Sequence, residues 1–316
     1  MESNTMIDVS CILINYNSSH YTIPCVKSII ENTENTIVYE IIVVDNASTL
    51  EDYKILEKEL SIFDTSLVKL IRSHMNIGFG GGNMLGVKKA NKPTYYAFIN
   101  NDTLMRSINT LLELKSFMEL TPNAGIASPQ MLDENKKFRV TIDHFSSPQR
   151  EILRRPILEA LFPSTYLNRK KRFRKPTAVH YVQGAFMFCD AEYFNKIGGF
   201  DTNLFLYYEE SDVSRQLLKE YNKKTYIIPH LEYIHYKGGS TKKGIDLKIE
   251  QKLSLLYYIE KHYGWFSKTV LIVHFGIRYF FTALIKPKYW PLFYIFLLGA
   301  PMAKSLKYNQ NLNEKF

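Results

Sequence analysis

Asn100-Asn101-Asp102-Thr103 closes an apolar run that begins at Tyr95. A carboxylate such as Asp102 suits a hard divalent cation, Mg²⁺ or Mn²⁺, which binds carboxylate, water and phosphate oxygens. One strand-end carboxylate plus a diphosphate would hold such an ion, which would neutralise charge building on a leaving diphosphate. Two earlier runs end alike, VSCILIN in Asn15-Tyr16-Asn17 and EIIVVD in Asp45-Asn46-Ala47-Ser48. One such ending is ordinary turn chemistry, because Asn and Asp favour turns. Three on successive strands converge on one edge if the sheet is parallel. Asp45 suits a base N–H or ribose hydroxyl of a bound nucleotide, or equally the cap of the next helix.

A second acidic group lies far along the chain. GGFDTNLFLYYEESD, residues 198–212, ends in Glu209, Glu210 and Asp212 at a helix start. Acids in a first turn are favoured by the helix dipole. Three of them after an aromatic run also read as a general base beside a sugar-stacking surface, positioned to take a proton from an attacking hydroxyl. His235, followed by Tyr236-Lys237-Gly238-Gly239-Ser240, is a surface histidine or an additional metal ligand in a segment closing over a diphosphate. NIGFGGGN, residues 76–83, reads as a glycine-rich loop before a helix. Its spacing is G-x-G-x-x-N and it follows a third strand, which excludes the dinucleotide fingerprint. Its amides suit a phosphate or nucleoside, or simply a tight turn.

The elements that must position these residues alternate. Strands are predicted at 9–15, 40–45, 67–71 and 95–100, with helices at 22–32, 56–62 and 83–91 between them. That order predicts an α/β fold with a mostly parallel sheet covered by helices, its ligand site at the strand C-termini. Beyond Asp102 the reading is a helix at 108–120, a strand at 125–132, a strand at 179–189, a helix at 211–221 and a strand at 225–228.

Hydrophobic residues make up 46% of the 316 and charged residues 22%, which excludes disorder. Cys11, Cys25 and Cys189 have no CxxC spacing, so neither a disulfide framework nor a zinc site is expected. The opening MESNTMIDVS lacks the pattern of a signal peptide. The net charge of +9 calls for a negatively charged partner. Dense cations at 169–175 and the aromatic tail after Trp265 together suit anionic headgroups. The apolar runs 270–285 and 289–303 are broken by polar residues and Pro, and fit helices lying at an interface better than spans. A solvated loop with a helical core extension or dimer interface would use the same residues. The expectation is a peripheral protein at the cytoplasmic face of the cell membrane, with no nucleic-acid partner. No oligomeric state follows.

In order, ILINYNS (12–18), IIVVDNAS (41–48), NIGFGGGNMLG (76–86), FINNDT (98–103), VQGAFMF (182–188), GGFDTNLFLYYEESDVSRQ (198–216) and HYKGGS (235–240) resemble glycosyltransferase family 2. The likeness is to its bacterial rhamnosyltransferase-like branch. It implies the GT-A nucleotide-diphospho-sugar transferase fold over residues 1–245, with 246–316 as a helical, membrane-associating extension. It also implies metal-dependent, inverting transfer from a dTDP- or UDP-sugar, rhamnose being one candidate, to a glycan or lipid-linked acceptor in cell-surface polysaccharide synthesis. Asp102 would be the metal-binding acid, assisted by His235. Glu210 would be the base and Glu209 its paired acid. Asn15, Asn17, Asp45, Asn76, Gly78, Asn83, Asn100, Asn101, Gly184 and Asp212 would border the donor. Two departures stand out: Asn100 replaces the first acid of the family's DxD motif, and Glu replaces Asp as the base. A nucleotidylyltransferase would share the architecture but needs a basic glycine loop after the first strand, where Asn15-Tyr16-Asn17 stands. A nucleic-acid-binding module would need stacking residues among the 169–175 cations, where only Phe173 qualifies.

Overall fold

The computed structural model describes residues 6–34, 36–236 and 244–310. Strands β1 (Val9–Asn15), β2 (Tyr39–Asp45), β3 (Val68–Arg72) and β4 (Tyr95–Ile99) pair in the order β3-β2-β1-β4, all parallel. Their apolar runs follow from burial on both faces. Val9, Cys11 and Leu13 pack under helices α1 (Ser19–Glu31) and α2 (Leu50–Leu60). Ile12, Ile42, Val44 and Phe98 face helix α3 (Gly78–Lys89).

The second half keeps the mostly parallel direction in two of its strands and adds others that run against it. After β5 (Thr103–Met105), α4 (Thr110–Leu120) and β6 (Ala124–Leu132), the chain runs through β7 (Ile142–Asp143), α5 (Pro148–Leu153), α6 (Arg155–Leu161), β8 (Thr177–Val179) and β9 (Tyr181–Val182). Strand β10 (Phe186–Asp190) then inserts antiparallel between β4 and β6. Helices α7 (Ala191–Lys196) and α8 (Glu209–Tyr221) lead to β11 (Lys224–His235), which is parallel to β6 and antiparallel to β5. The sheet is therefore mixed. Because β10 runs backwards, its start meets the end of β4, and Asn100 N–H donates to the Ala185 carbonyl at 2.9 Å.

Three local readings are corrected. The single strand expected at 179–189 is interrupted, since β8, β9 and β10 join different partners. The strand expected at 225–228 continues to His235, because a register shift between Ile228 and Glu232 absorbs Pro229. The glycine-rich segment is the beginning of helix α3 itself. A Cβ on Gly86 would lie 2.4 Å from Ile12, and one on Gly82 2.9 Å from Ile14. The glycines let the helix lie directly on β1.

The helical tail begins with α9 (Ile245–Ile285), 41 residues broken at Gly264, whose φ is 82°. By length and composition alone it is long and apolar enough to cross a membrane. The break folds Leu253, Leu256 and Ile259 against Leu271 and Phe275, with Leu292 and Phe296 from α10 (Trp290–Leu297) completing the cluster. On the outside, Trp265, Phe266, Ile277, Phe281 and Ile285 are exposed.

Candidate active site

The C-terminal ends of β1, β2 and β4 open on a cleft of about 360 Å³, lined by Tyr16, Ser18, Asn46, Asn76, Gly78, Phe79, Asn83, Asn100, Asn101, Asp102 and Phe205 among others. Asn101 is held from below, donating to Ser18 Oγ and Thr22 Oγ1, each at 2.7 Å. Asp102 meets His235, whose Nε2 is 3.1 Å from its Oδ1. Among the described residues no group of three or more His, Cys, Asp or Glu is arranged to hold a metal. Two side chains of this kind fit a cation whose remaining positions are filled by diphosphate and water, as an oxygen-preferring ion requires. The segment expected to close over the diphosphate, 237–243, lies outside the described residues.

Asn15, Asn17 and Asp45 do not line the cleft. Asn15 Nδ2 lies within hydrogen-bond distance of Asp45 Oδ1 (3.0 Å), Ser48 Oγ (3.0 Å) and Asp52 Oδ2 (2.8 Å). Asp45 is fully buried, accepts from the Ser48 amide and pairs with Arg72 at 3.3 Å. Asn17 accepts from the Thr49 amide at 2.8 Å. Their polar atoms are spent joining β1 and β2 to α2, and the neighbouring Asn46 is the residue of this group that lines the cleft. Asn46 Nδ2 donates to Asn76 Oδ1 (2.9 Å) and Gly78 O (3.2 Å), and Asn46 Oδ1 accepts from Ile77 N–H (3.0 Å), locking the start of α3 onto β2.

The acidic run diverges. Tyr207 and Tyr208 both have left-handed backbones, φ 76° and 75°, a strained turn before α8. Glu209 points toward α3, with its Cγ 3.6 Å from where a Gly80 Cβ would lie. Its Oε1 is buried and finds no hydrogen-bond partner among the described residues. Burial, reinforced by Glu210, holds the Glu209 carboxyl well above the usual range.

Glu210 faces a second pocket of about 290 Å³. Its carboxyl carbon is 3.9 Å from the place of a Gly184 Cβ, and the Phe79 ring is 3.4 Å from the same place. Phe79 lines the first cleft, so Asp102 and Glu210 open on adjoining cavities divided at Phe79 and Gly184. Burial, with Asp143 adding to it, raises the Glu210 carboxyl to about 7. Such a group exchanges a proton near neutral pH. Asp212 reaches neither cavity. It turns to α9, pairing with Lys261 Nζ at 2.8 Å and His262 Nε2 at 2.7 Å.

Sequence reasoning missed Phe79, and also Leu306 and Gln310 from the tail, which line the first cleft together with Phe205 of the aromatic run. Phe79 stood inside the glycine segment as a visible signal. The tail residues carried none.

Residues 10–198, more than half of the chain, match the sequence family described as glycosyl transferase family 2. The chain is similar to the low-salt glycan biosynthesis hexosyltransferase Agl10 of Haloferax volcanii, 26% identical over 226 residues, or 70% of this chain and 64% of that protein. It therefore spans less than two thirds of that relative's length. Among solved structures it is similar to GalNAc-T7 with UDP, GalNAc and Mn²⁺, at TM-score 0.60 and 16% identity over 81% of this chain and 48% of that one. It is also similar to S. aureus TarS 1–349 in complex with UDP, at TM-score 0.53 and 14% identity over 88% and 73%. The mixed sheet with its covering helices is the GT-A fold, and the protein belongs to glycosyl transferase family 2.

Proposed function

We propose that the protein transfers a sugar, with inversion, from a nucleotide-diphospho-sugar to an acceptor hydroxyl. The observation that carries this reading is the pair of adjoining cavities, one edged by Asp102 with His235 beside it, the other by Glu210. Asn46, Asn76 and Asn83 present amide groups to the nucleotide end of a UDP- or dTDP-sugar. Asp102 and His235 hold Mg²⁺ or Mn²⁺ with the donor's diphosphate, and the bound ion supplies charge neutralisation for the leaving group. Phe79 and Gly184 leave the acceptor room to approach from the Glu210 side. Glu210 then takes the hydroxyl proton as the oxygen attacks the anomeric carbon. Burial, with Asp143 adding to it, keeps the proton affinity of Glu210 high.

The acceptor is a lipid-linked glycan in cell-surface polysaccharide synthesis, met at the cytoplasmic face of the membrane, with rhamnose one candidate sugar. Exposed Trp265, Phe266 and Phe281 beside Arg278, Lys286 and Lys288 support membrane contact, as do exposed Lys170, Lys171, Arg174 and Lys175. A panel of nucleotide sugars incubated with Mg²⁺ or Mn²⁺, read by nucleotide release and thermal shift, tests the reading. Stabilisation and turnover with one donor are expected. A silent panel, with neither shift nor release, overturns it.

A further inference from the structure

The pocket that Glu210 faces is lined by buried Arg150 and half-buried Arg155 and Lys252. Asp143 receives three guanidinium groups, from Arg150 at 3.2 Å and from Arg155 and Arg169 at 2.9 Å each. Arg150 is buried and also meets Glu151 at 3.4 Å. Lys252 lines the same pocket with no carboxylate within salt-bridge distance among the described residues; its ammonium rests 3.9 Å from the Phe275 ring centre. Arg155 Nε is buried and has no hydrogen-bond partner among the described residues. Three cations, Arg150, Arg155 and Lys252, thus line the pocket with three carboxylates, Asp143, Glu151 and Glu210, and Arg169 adds a fourth cation from behind Asp143.

Withdrawing a cation from water is costly unless an anion or hydrogen-bond acceptor replaces the lost solvation. Arg150 and Arg169 find that compensation within the protein. Lys252 does not, and burial lowers its ammonium to about 8. A pocket lined by an ammonium that no carboxylate pairs is a receptor for anionic oxygens, which guanidinium and ammonium groups bind through charge-assisted hydrogen bonds.

We infer that this pocket recognises an acceptor carrying an anionic group, a carboxylate or a phosphate, close to the hydroxyl that is glycosylated. Lys252 holds the anion, with the Arg155 guanidinium beside it. The inference rests on the assignment of Glu210 to the acceptor side. It deepens that assignment by naming a charge on the acceptor, which the donor cleft and its lining do not require.

Binding to the full chain tests this with three small probes: methyl β-glucoside, methyl β-glucuronide and glucose 1-phosphate. At least one anionic probe is expected to bind about tenfold more tightly than the neutral one, the scale of a charge-assisted contact. Glucuronide preference marks a carboxylate acceptor, and glucose 1-phosphate preference marks a phosphate. Lys252→Met is expected to erase the difference and Lys252→Arg to restore it. UDP or dTDP binding with Mn²⁺, measured on the same preparations, reports folded protein and a working donor cleft. Loss of nucleotide binding in the unaltered chain counts against the donor reading alone. Equal binding of charged and neutral probes, no binding by either anion, or a preference that survives Lys252→Met in protein that still binds nucleotide overturns the inference.

Discussion

His235 Nε2 lies 3.1 Å from Asp102 Oδ1, two residues 133 positions apart that meet because β11 pairs antiparallel with β5, opposing His235 to Thr103. Asp102 lines the first cleft, and His235 braces it from beside the sheet edge. Asp102→Ala is expected to abolish the metal-dependent part of nucleotide binding, and His235→Ala to weaken it about tenfold, the scale of one supporting charged contact. Calorimetric titration of UDP and dTDP with and without Mn²⁺ measures both. Unchanged metal dependence in Asp102→Ala would remove that residue from the site.

Glu210 must be ionised to accept a proton, so turnover is expected to rise with pH and reach half its maximum near 7, where burial sets its carboxyl. Glu210→Gln should lower kcat by about 10² to 10⁴, the usual worth of a general base, while nucleotide still binds. Near-normal turnover in this variant would exclude Glu210 as the base.

The same shift has a consequence for stability. An unfolded glutamate titrates near 4.3, so between there and about 7 the folded protein binds more protons than the unfolded chain. Stability contributed by this group falls as pH rises through that window. Glu210→Gln is therefore expected to be more stable than the unaltered protein at pH 8, by about 3 to 4 kcal/mol, with the gain vanishing near pH 4. Denaturant titrations at the two pH values check it, and an equal gain at both would contradict the argument.

Asp212 secures α9 to α8. Its carboxylate is almost wholly buried and bonds Gln216, Lys261 and His262. Asp212→Ala leaves the two α9 residues short of their acceptor and should cost about 3 kcal/mol, as removal of one member of a buried charged network does. A thermal unfolding scan tests this; an unchanged midpoint would mean the contact contributes nothing.

Gly78 has φ +76°, and a Cβ there would stand 2.3 Å from the Phe205 carbonyl oxygen. Gly78→Ala is expected to destabilise the fold by about 3 kcal/mol and to disturb the cleft wall. Urea unfolding and nucleotide titration report the two effects separately.

Trp265, Phe266 and Phe281 expose most of their apolar rings. Replacing all three by Ser should reduce recovery on anionic vesicles by roughly tenfold or more, since each ring removed forfeits apolar burial in the interface. Flotation through a density gradient decides, and equal flotation of both proteins would place the contact elsewhere.

The amino-acid sequence by itself determined which stretches form the buried strands, because runs such as VSCILIN and EIIVVD bury apolar side chains on both faces. It likewise marked Asp102 and Glu210, whose residue types and positions beside apolar runs suggest chemistry before any partner is known. Tertiary structure alone decided which polar residues are consumed by the scaffold. Asn15 and Asp45 spend their hydrogen bonds on each other and on Ser48, leaving Asn46 to face the cleft, and Asp212 spends its charge on α9. The glycine run became a helix because Ile12 and Ile14, distant in sequence, press against it. A residue type sets which bonds a side chain can make. Only packing across dozens of residues sets which partner comes within about 3 Å first, and a hydrogen bond or charge satisfied inside the protein is no longer offered to a ligand.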